Sequence, residues 1–469
     1  MFSPTTYTNR RRALAEAIPD GLILFLGNDS VPMNYPANVY RFRQDGSFLY
    51  YAGLDAPGLA LTLDAETGEA ILYGHDPTMA DVIWEGPLQL LSERAAAAGI
   101  TQTAPPEALA DAIGAARALG RTIHMLPPYR GDQTLRLATL LGVRPGALVP
   151  SGVLIEAVIA QRLLKTDEEL AEIEKAVALA GEMHRLAMQM AQPGRTEQKI
   201  AGAMEGYALA HGGYLSFPAI VSRRGEVLHN HPTDYVLQDG DLLLHDAGAH
   251  APGSRYASDI TRTSPVGGRF SERQRALYQI VLDAQEQAIA ACAPGVAFRE
   301  VHLLACRVIA EGLTTLGLMT GDPEEAVAAG AHALFIPHGL GHAMGLDVHD
   351  LEGLGEDRVG YGGEFQRSEQ FGLAYLRFAR RLEAGHVMTV EPGCYLIGPL
   401  MDQWRAEGQH TAFLDYEAID QWRDVGGIRI EDDIAITADG YRLLGPPIPK
   451  APEEVEATVQ AGAELFASV

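Results

Sequence analysis

The sequence predicts an α+β fold preceded by a smaller α/β segment, and three observations lead there. At 469 residues the chain exceeds the size at which a single hydrophobic core is usual, so two domains are expected. Up to about residue 148, short apolar runs alternate with Ala-rich stretches, an α/β signature. Beyond residue 161, long amphipathic helices and apolar runs fall in separate blocks, which is the α+β pattern. The expected domains are therefore 1–160 and 161–469.

In the first segment Leu22–Leu26, Leu59–Leu63 and Ala70–Tyr73 read as strands, Glu93–Ala98 as helix and Asp64–Gly68 as a turn. In the second, Thr166 and Glu169 form a capping-box pattern that starts a helix, since hydroxyl and carboxylate each satisfy an unpaired backbone N–H at the other residue. Leu170, Ile173, Val177, Ala180, Met183, Leu186 and Met190 continue it as one apolar stripe that ends before Pro193 and Gly194. Further helices are expected from Thr196 to His211, from Ser271 to Pro294, and from Phe298 to Leu316. The β-like runs are Leu215–Ser222, Asp241–Asp246, His386–Glu391 and Gly427–Thr437. Residues 395–425, with Trp404, Phe413, Tyr416 and Trp422 among charges, read as a structured and functional excursion between two strands.

Composition narrows the function classes. With 61 acidic against 36 basic residues, the net charge of -25 repels a phosphate backbone, and Arg10, Arg11 and Arg12 are too short a basic run to overcome it. No nucleic-acid partner is expected. Nor does any stretch approach the roughly 20 apolar residues that span a bilayer, so no membrane partner is expected either. Cys292, Cys306 and Cys394, odd in number and far apart, suit unpaired thiols in a reducing compartment, and the expected location is cytoplasmic.

Four acids interrupt or close apolar runs. Asp246 ends Leu242–Leu244 plus one residue, and Asp259 follows thirteen positions later, a spacing that suits adjacent strands joined by a turn at Pro252 and Gly253. Glu391 closes Val387–Val390, and Glu431 lies inside Gly427–Ile434. An ionised carboxylate in a buried strand is costly unless paired or metal-bound, so four of them call for a shared cation site. Two divalent ions balance four carboxylates, and His342, in a segment rich in Gly and His from Pro337 to Asp350, adds an imidazole. Oxygen donors with one nitrogen suit Mn(II) first, with Co(II) and Zn(II) as alternatives.

At these residues the sequence resembles the pita-bread metallopeptidases, and within them aminopeptidase P and prolidase. Tyr40–Gly53 and Trp84–Pro87 resemble the aminopeptidase P N-terminal domain, and everything after about Leu164 resembles the catalytic domain, a curved antiparallel sheet flanked by helices. The resemblance implies five ligands: Asp259 and Glu431 bridging two ions, Asp246 holding one, and His342 with Glu391 holding the other. It also implies that a hydroxide between the ions attacks the bond between an N-terminal residue and proline. His229, with His231 as the alternative register, stands near the scissile bond, and His338 and His349 line the pocket. Glu391 moves a proton, Arg429 orients Glu431, and Tyr395 lines the proline pocket. Arg377 matches the arginine that in prolidases faces the substrate carboxylate. Proline-containing peptides are thus the implied substrates, and homodimers or homotetramers the implied assemblies, with Trp84 reaching a neighbouring subunit.

Two alternatives stay open. Arg377 and the 395–425 excursion resemble prolidase, a dipeptidase, whereas Trp84–Pro87 resembles aminopeptidase P, which takes longer peptides. A non-catalytic pita-bread protein that binds peptides or nucleic acid is the reading from another class. Such relatives lose ligands, and all five positions are filled here.

Overall fold

The computed structural model describes residues 2–466, and they divide into two compact units, Met1–Arg162 and Leu163–Val469. In the first unit, five strands lie in the order Gln102–Ala104, Ala70–Tyr73, Ala60–Asp64, Leu22–Leu26 and Ile123–Met125. The strand Leu22–Leu26 is buried along its whole length. It pairs antiparallel with Ala60–Asp64 and parallel with Ile123–Met125, so the sheet is mixed. Helices Ala108–Ala118 and Gly131–Leu141 supply Leu109, Ile113 and Leu137 to the core formed with Leu24, Leu26 and Tyr73.

The basic run near the N-terminus is mostly interior. Arg11 donates to the carbonyls of Tyr51, Ala98 and Gly99 at 2.8–2.9 Å, and the Arg10 guanidinium stacks 3.8 Å over the Tyr50 ring. These arginines join the N-terminal helix Pro4–Ala17 to its neighbours and form no basic stripe.

In the second unit both capping boxes form. Thr166 caps Asp167–Met190 with Glu169, and Ser271 caps Glu272–Ala291 with Gln274. Helices Glu197–Ala210, Phe298–Thr315 and Pro452–Phe466 complete the long helical set. The strands are antiparallel and fall into short sheets. Leu242–Asp246 is flanked by Ile220–Ser222 and Thr261–Pro265, and Asp432–Ile436 by Val387–Val390 and Tyr441–Leu443. Gly393–Tyr395 pairs with Gly427–Arg429. Single bridges from Thr261 to Glu431 and from Ala343 to Met388 join the pieces.

Two expectations change and a third gains detail. The run Leu215–Ser222 is two strands, Tyr214–Leu215 and Ile220–Ser222, because Pro218 cannot donate to a ladder. Gly427–Thr437 divides at Ile430 and Glu431, where the chain leaves one strand partner for another. The excursion 395–425 is structured as expected and holds two helices, Gly398–Glu407 burying Met401 and Trp404, and Tyr416–Asp420 capped by Asp415.

Candidate metal centre

Three of the four acids stand where a strand stops or changes partner, and the fourth stands just before one begins. Asp246 closes Leu242–Asp246, opposite Thr261 in the register. Asp259 lies two residues before the partner strand Thr261–Pro265, not within it, and its backbone N–H donates to Asp433 Oδ2 at 3.0 Å. Glu391 directly follows Val387–Val390, and Glu431 makes the isolated bridge to Thr261. His342 reaches them because its backbone is joined to a strand edge: its N–H donates to Thr389 Oγ1, and its carbonyl accepts from the Thr389 N–H, both at 3.0 Å. Such closeness requires Gly341, where a Cβ would lie 2.1 Å from the Thr389 carbonyl oxygen.

Ligand atoms of Asp259, His342 and Glu431 lie within 4.8 Å of one another. His342 Nε2 is 3.4 Å from Asp259 Oδ2 and 3.7 Å from Glu391 Oε1. With Asp246, these residues line one cavity of about 840 Å³. Three buried oxygens there, Asp246 Oδ1, Asp259 Oδ1 and Glu431 Oε1, have no hydrogen-bond partner. Burial, then the charge of Asp246, pushes the Asp259 carboxyl well above its ordinary range, and burial, then Asp259, does the same to Glu431. Burial raises Glu391 to about 7 against the opposing pull of His342 and Arg429.

Buried carboxylates left unpaired cost several kcal/mol each (~), so orphaned oxygens converging on one cavity mark a place for cations. The donor set, four carboxylates and one imidazole, fits divalent ions.

A sequence profile described as metallopeptidase family M24 matches residues 171–438. The chain belongs to that family. A second profile, the aminopeptidase P N-terminal domain, matches residues 7–124 of this M24 chain. Human Xaa-Pro dipeptidase is 31% identical over 466 residues, covering 96% of this chain and 91% of that one. Escherichia coli Xaa-Pro aminopeptidase is 32% identical over 488 residues, covering 98% of each. The solved structure of E. coli aminopeptidase P with the inhibitor Pro-Leu matches with a TM-score of 0.80 at 30% identity, covering 99% of both chains. The second unit accordingly has the pita-bread fold expected from the sequence.

The other singled-out residues of the M24 chain gather at the same cavity, in different ways. His229, His231, His338, His349, Arg377 and Arg429 all line it. Arg429 donates to Tyr395 Oη at 2.9 Å, to Thr261 Oγ1 at 3.2 Å and to Asp246 Oδ2. His349 stacks on His342 with centroids 3.7 Å apart, and its Nδ1 is 3.0 Å from Glu352 Oε2. Both nitrogens of His338 are engaged: Nδ1 donates to the Gly339 carbonyl at 2.7 Å, so Nε2 accepts from the Tyr395 hydroxyl at 2.9 Å. Burial lowers the His338 ring to about 4, which suits that neutral form.

Tyr395 is displaced from its expected place in the proline pocket. It is fully buried, with its hydroxyl held between His338 and Arg429, and so stands one layer behind the wall. Arg377 Nη1 is also occupied, donating to Glu352 at 2.8 Å and Glu356 at 3.2 Å.

Residues that sequence reasoning missed include Thr261, whose hydroxyl donates to Glu431 Oε2 at 2.6 Å, and the apolar wall of Phe217, Phe371, Tyr375 and Leu400. Thr261 had a signal, since Asp259 and Thr261 are two apart along an extended chain and share a face. The apolar wall had none, because its members come from segments far apart in the chain, around residues 217, 371–375 and 400.

Proposed function

We propose that this M24 chain hydrolyses the peptide bond between an N-terminal residue and proline. The observation that carries the reading is the set of three unpartnered carboxylate oxygens facing one cavity with His342, and the activities named for the human and E. coli relatives supply the proline preference. Asp259 and Glu431 would be shared between two ions, Asp246 would hold one, and His342 and Glu391 the other, with Mn(II) the favoured metal. When bound, such ions supply an activated water and polarise the scissile carbonyl.

The protein's own groups do the rest. Thr261 and Arg429 fix the directions of Glu431 and Asp246, so that the unpartnered oxygens face inward. No hydrogen bond engages the His229 ring among the described residues, which leaves it available to donate to the oxygen that gains charge. Glu391, whose side chain is 19% exposed at the cavity wall, is placed to carry a proton to the prolyl nitrogen. Tyr395 supports Arg429 from behind and joins it to His338 on the cavity wall. A prolyl nitrogen has no N–H and its ring fixes φ, so extended-backbone recognition fails and a shaped cavity is required.

Within that activity we favour peptides longer than two residues. The cavity is near the upper end of the roughly 300–1,000 Å³ range of small-molecule sites, and Arg377 already holds two carboxylates instead of awaiting a substrate's. The test is parallel assay of Xaa-Pro and Xaa-Pro-Yaa peptides after removal of metal and reconstitution with Mn(II). Cleavage of neither would refute the activity, and cleavage confined to dipeptides would refute the length preference.

We also infer a homodimer or homotetramer in the cytoplasm. Helix Met79–Glu85 buries none of its residues and leaves Trp84 86% exposed, a surface suited to a second copy, and three buried unpaired thiols suit a reducing compartment.

A further inference from the structure

One buried carboxylate outside the metal centre closes a loop that the site depends on. Glu197 opens helix Glu197–Ala210 and is 2% exposed. Its Oε1 accepts from the Arg223 N–H at 2.8 Å and the Ser222 hydroxyl at 3.1 Å. Its Oε2 accepts from the Thr233 N–H at 2.9 Å and the Thr233 hydroxyl at 2.6 Å. Ser222 and Arg223 form one stem of a loop and Thr233 the other, and between them lie His229 and His231 at the cavity wall.

We propose that Glu197 is a positioning residue: its carboxylate clamps both stems of the 222–233 loop and thereby sets where His229 stands. This rests on the peptidase reading, which makes that wall the substrate-facing one.

The chemistry of the clamp is specific. A carboxylate accepts on both oxygens, which is what two backbone N–H groups on opposite stems require. Because Ser222 must donate its proton to Glu197, its lone pairs are left for Asn230 Nδ2 at 2.8 Å and the Arg224 N–H at 3.0 Å. The order therefore passes from Glu197 through Ser222 to the residue beside His229. Two further contacts hold the loop: the Arg223 guanidinium lies 4.2 Å over the Tyr235 ring, and Gly225 packs so closely that a Cβ would lie 2.3 Å from the Gly427 carbonyl oxygen.

Glu197→Gln removes the clamp with almost no change in shape. Whichever way the amide turns, its NH2 confronts a backbone N–H, so one stem loses its acceptor. Amide hydrogen exchange within 223–233 should accelerate at least about tenfold, with the strands Leu242–Asp246 and Thr261–Pro265 still protected and Mn(II) content unchanged. kcat/KM for Xaa-Pro peptides should fall roughly ten- to a hundredfold, as expected of a misplaced substrate-facing group. Thr233→Val, which deletes one donor and keeps both amides, should loosen residues 231–235 to a smaller extent and serves if Glu197→Gln does not fold. Unchanged loop exchange in either folded variant overturns the clamp, as does a general loss of thermal stability without selective loosening. Faster loop exchange in a chain that cleaves no Xaa-Pro peptide upholds the clamp and refutes the proposed activity instead.

Discussion

Glu431 and Asp432 are neighbours in sequence, are both buried, and have opposite electrostatic fates. Glu431 faces the cavity with an unpartnered oxygen, and burial followed by the charges of Asp259, Glu391 and Asp246 drives its carboxyl up. Asp432 faces away, to Arg262 Nη2 at 2.6 Å, Gln285 Nε2 at 2.8 Å and Lys450 Nζ at 2.9 Å. Burial alone would raise the Asp432 carboxyl as well, but Arg262 and Lys450 bring it down to about 2. Arg262, completely buried, also donates to the carbonyls of Thr261, Glu431, Ile448 and Pro449 at 2.6–3.2 Å. Successive residues thus separate two uses of a buried charge: one is compensated within the chain and anchors the backbone, and the other is left for a cation to compensate.

Asp259→Ala should show the largest effect, because it deletes the carboxylate that we propose both ions would share. Metal content and peptidase activity should fall by more than the roughly 10–100-fold typical of losing an outer partner, with circular dichroism unchanged. Retained metal and near-normal turnover would place Asp259 on the compensated side of the comparison.

Asp432→Ala should instead cost stability, about 3–5 kcal/mol in denaturant unfolding, since it strands a buried guanidinium. This should hold with or without metal, and a loss below about 1 kcal/mol would dissolve the distinction. The pH dependence has a defined sign. The folded carboxyl lies near 2 against an ordinary 3.8, so its contribution is complete above pH 3.8 and fades as pH falls toward 2. Parent and variant unfolding curves should approach each other in that acid window.

Tyr395→Phe should be milder. It leaves His338 Nε2 without its donor and Arg429 without one acceptor, a cost of about 1–3 kcal/mol divided between stability and turnover. An unchanged profile would mean that the layer behind the wall does not orient it.

Arg377→Ala should have the smallest effect, because a half-exposed arginine in ion pairs contributes about 0–1 kcal/mol. Dipeptide and tripeptide kcat/KM should fall alike. A selective loss for dipeptides would show that Arg377 meets the substrate carboxylate despite Glu352 and Glu356.

The sequence made the acids legible for the same reason that they are costly: a charge inside an apolar run stands out. Thr166 with Glu169 and Ser271 with Gln274 were legible because a cap is a local device, complete within four residues. What escaped was non-local. Nothing near Glu197 indicates that its carboxylate will hold Arg223 and Thr233, and the ladder switch at Glu431 depends on Thr261, far back in the chain. The helix Gly398–Glu407 was hidden because its neighbours, rather than a clear apolar period, decide which side is buried. His338 and Tyr395 were recognisable as residues of the site, but the place of Tyr395 behind the wall, bonded to His338 and Arg429, followed only from its hydrogen bonds.

The anchoring of Asp432 by Arg262 and Lys450, with Ile448 and Pro449 held by the same guanidinium, has a consequence for synthesis. On the ribosome the chain carries Asp246, Asp259 and His342 long before Glu431 is made, and Ile448 and Pro449, held by the same Arg262 that braces Glu431, follow later still. A nascent chain that stops short of Glu431 can offer an ion a partial set of donors but not the full set, and one cut before Ile448 should hold Glu431 less firmly.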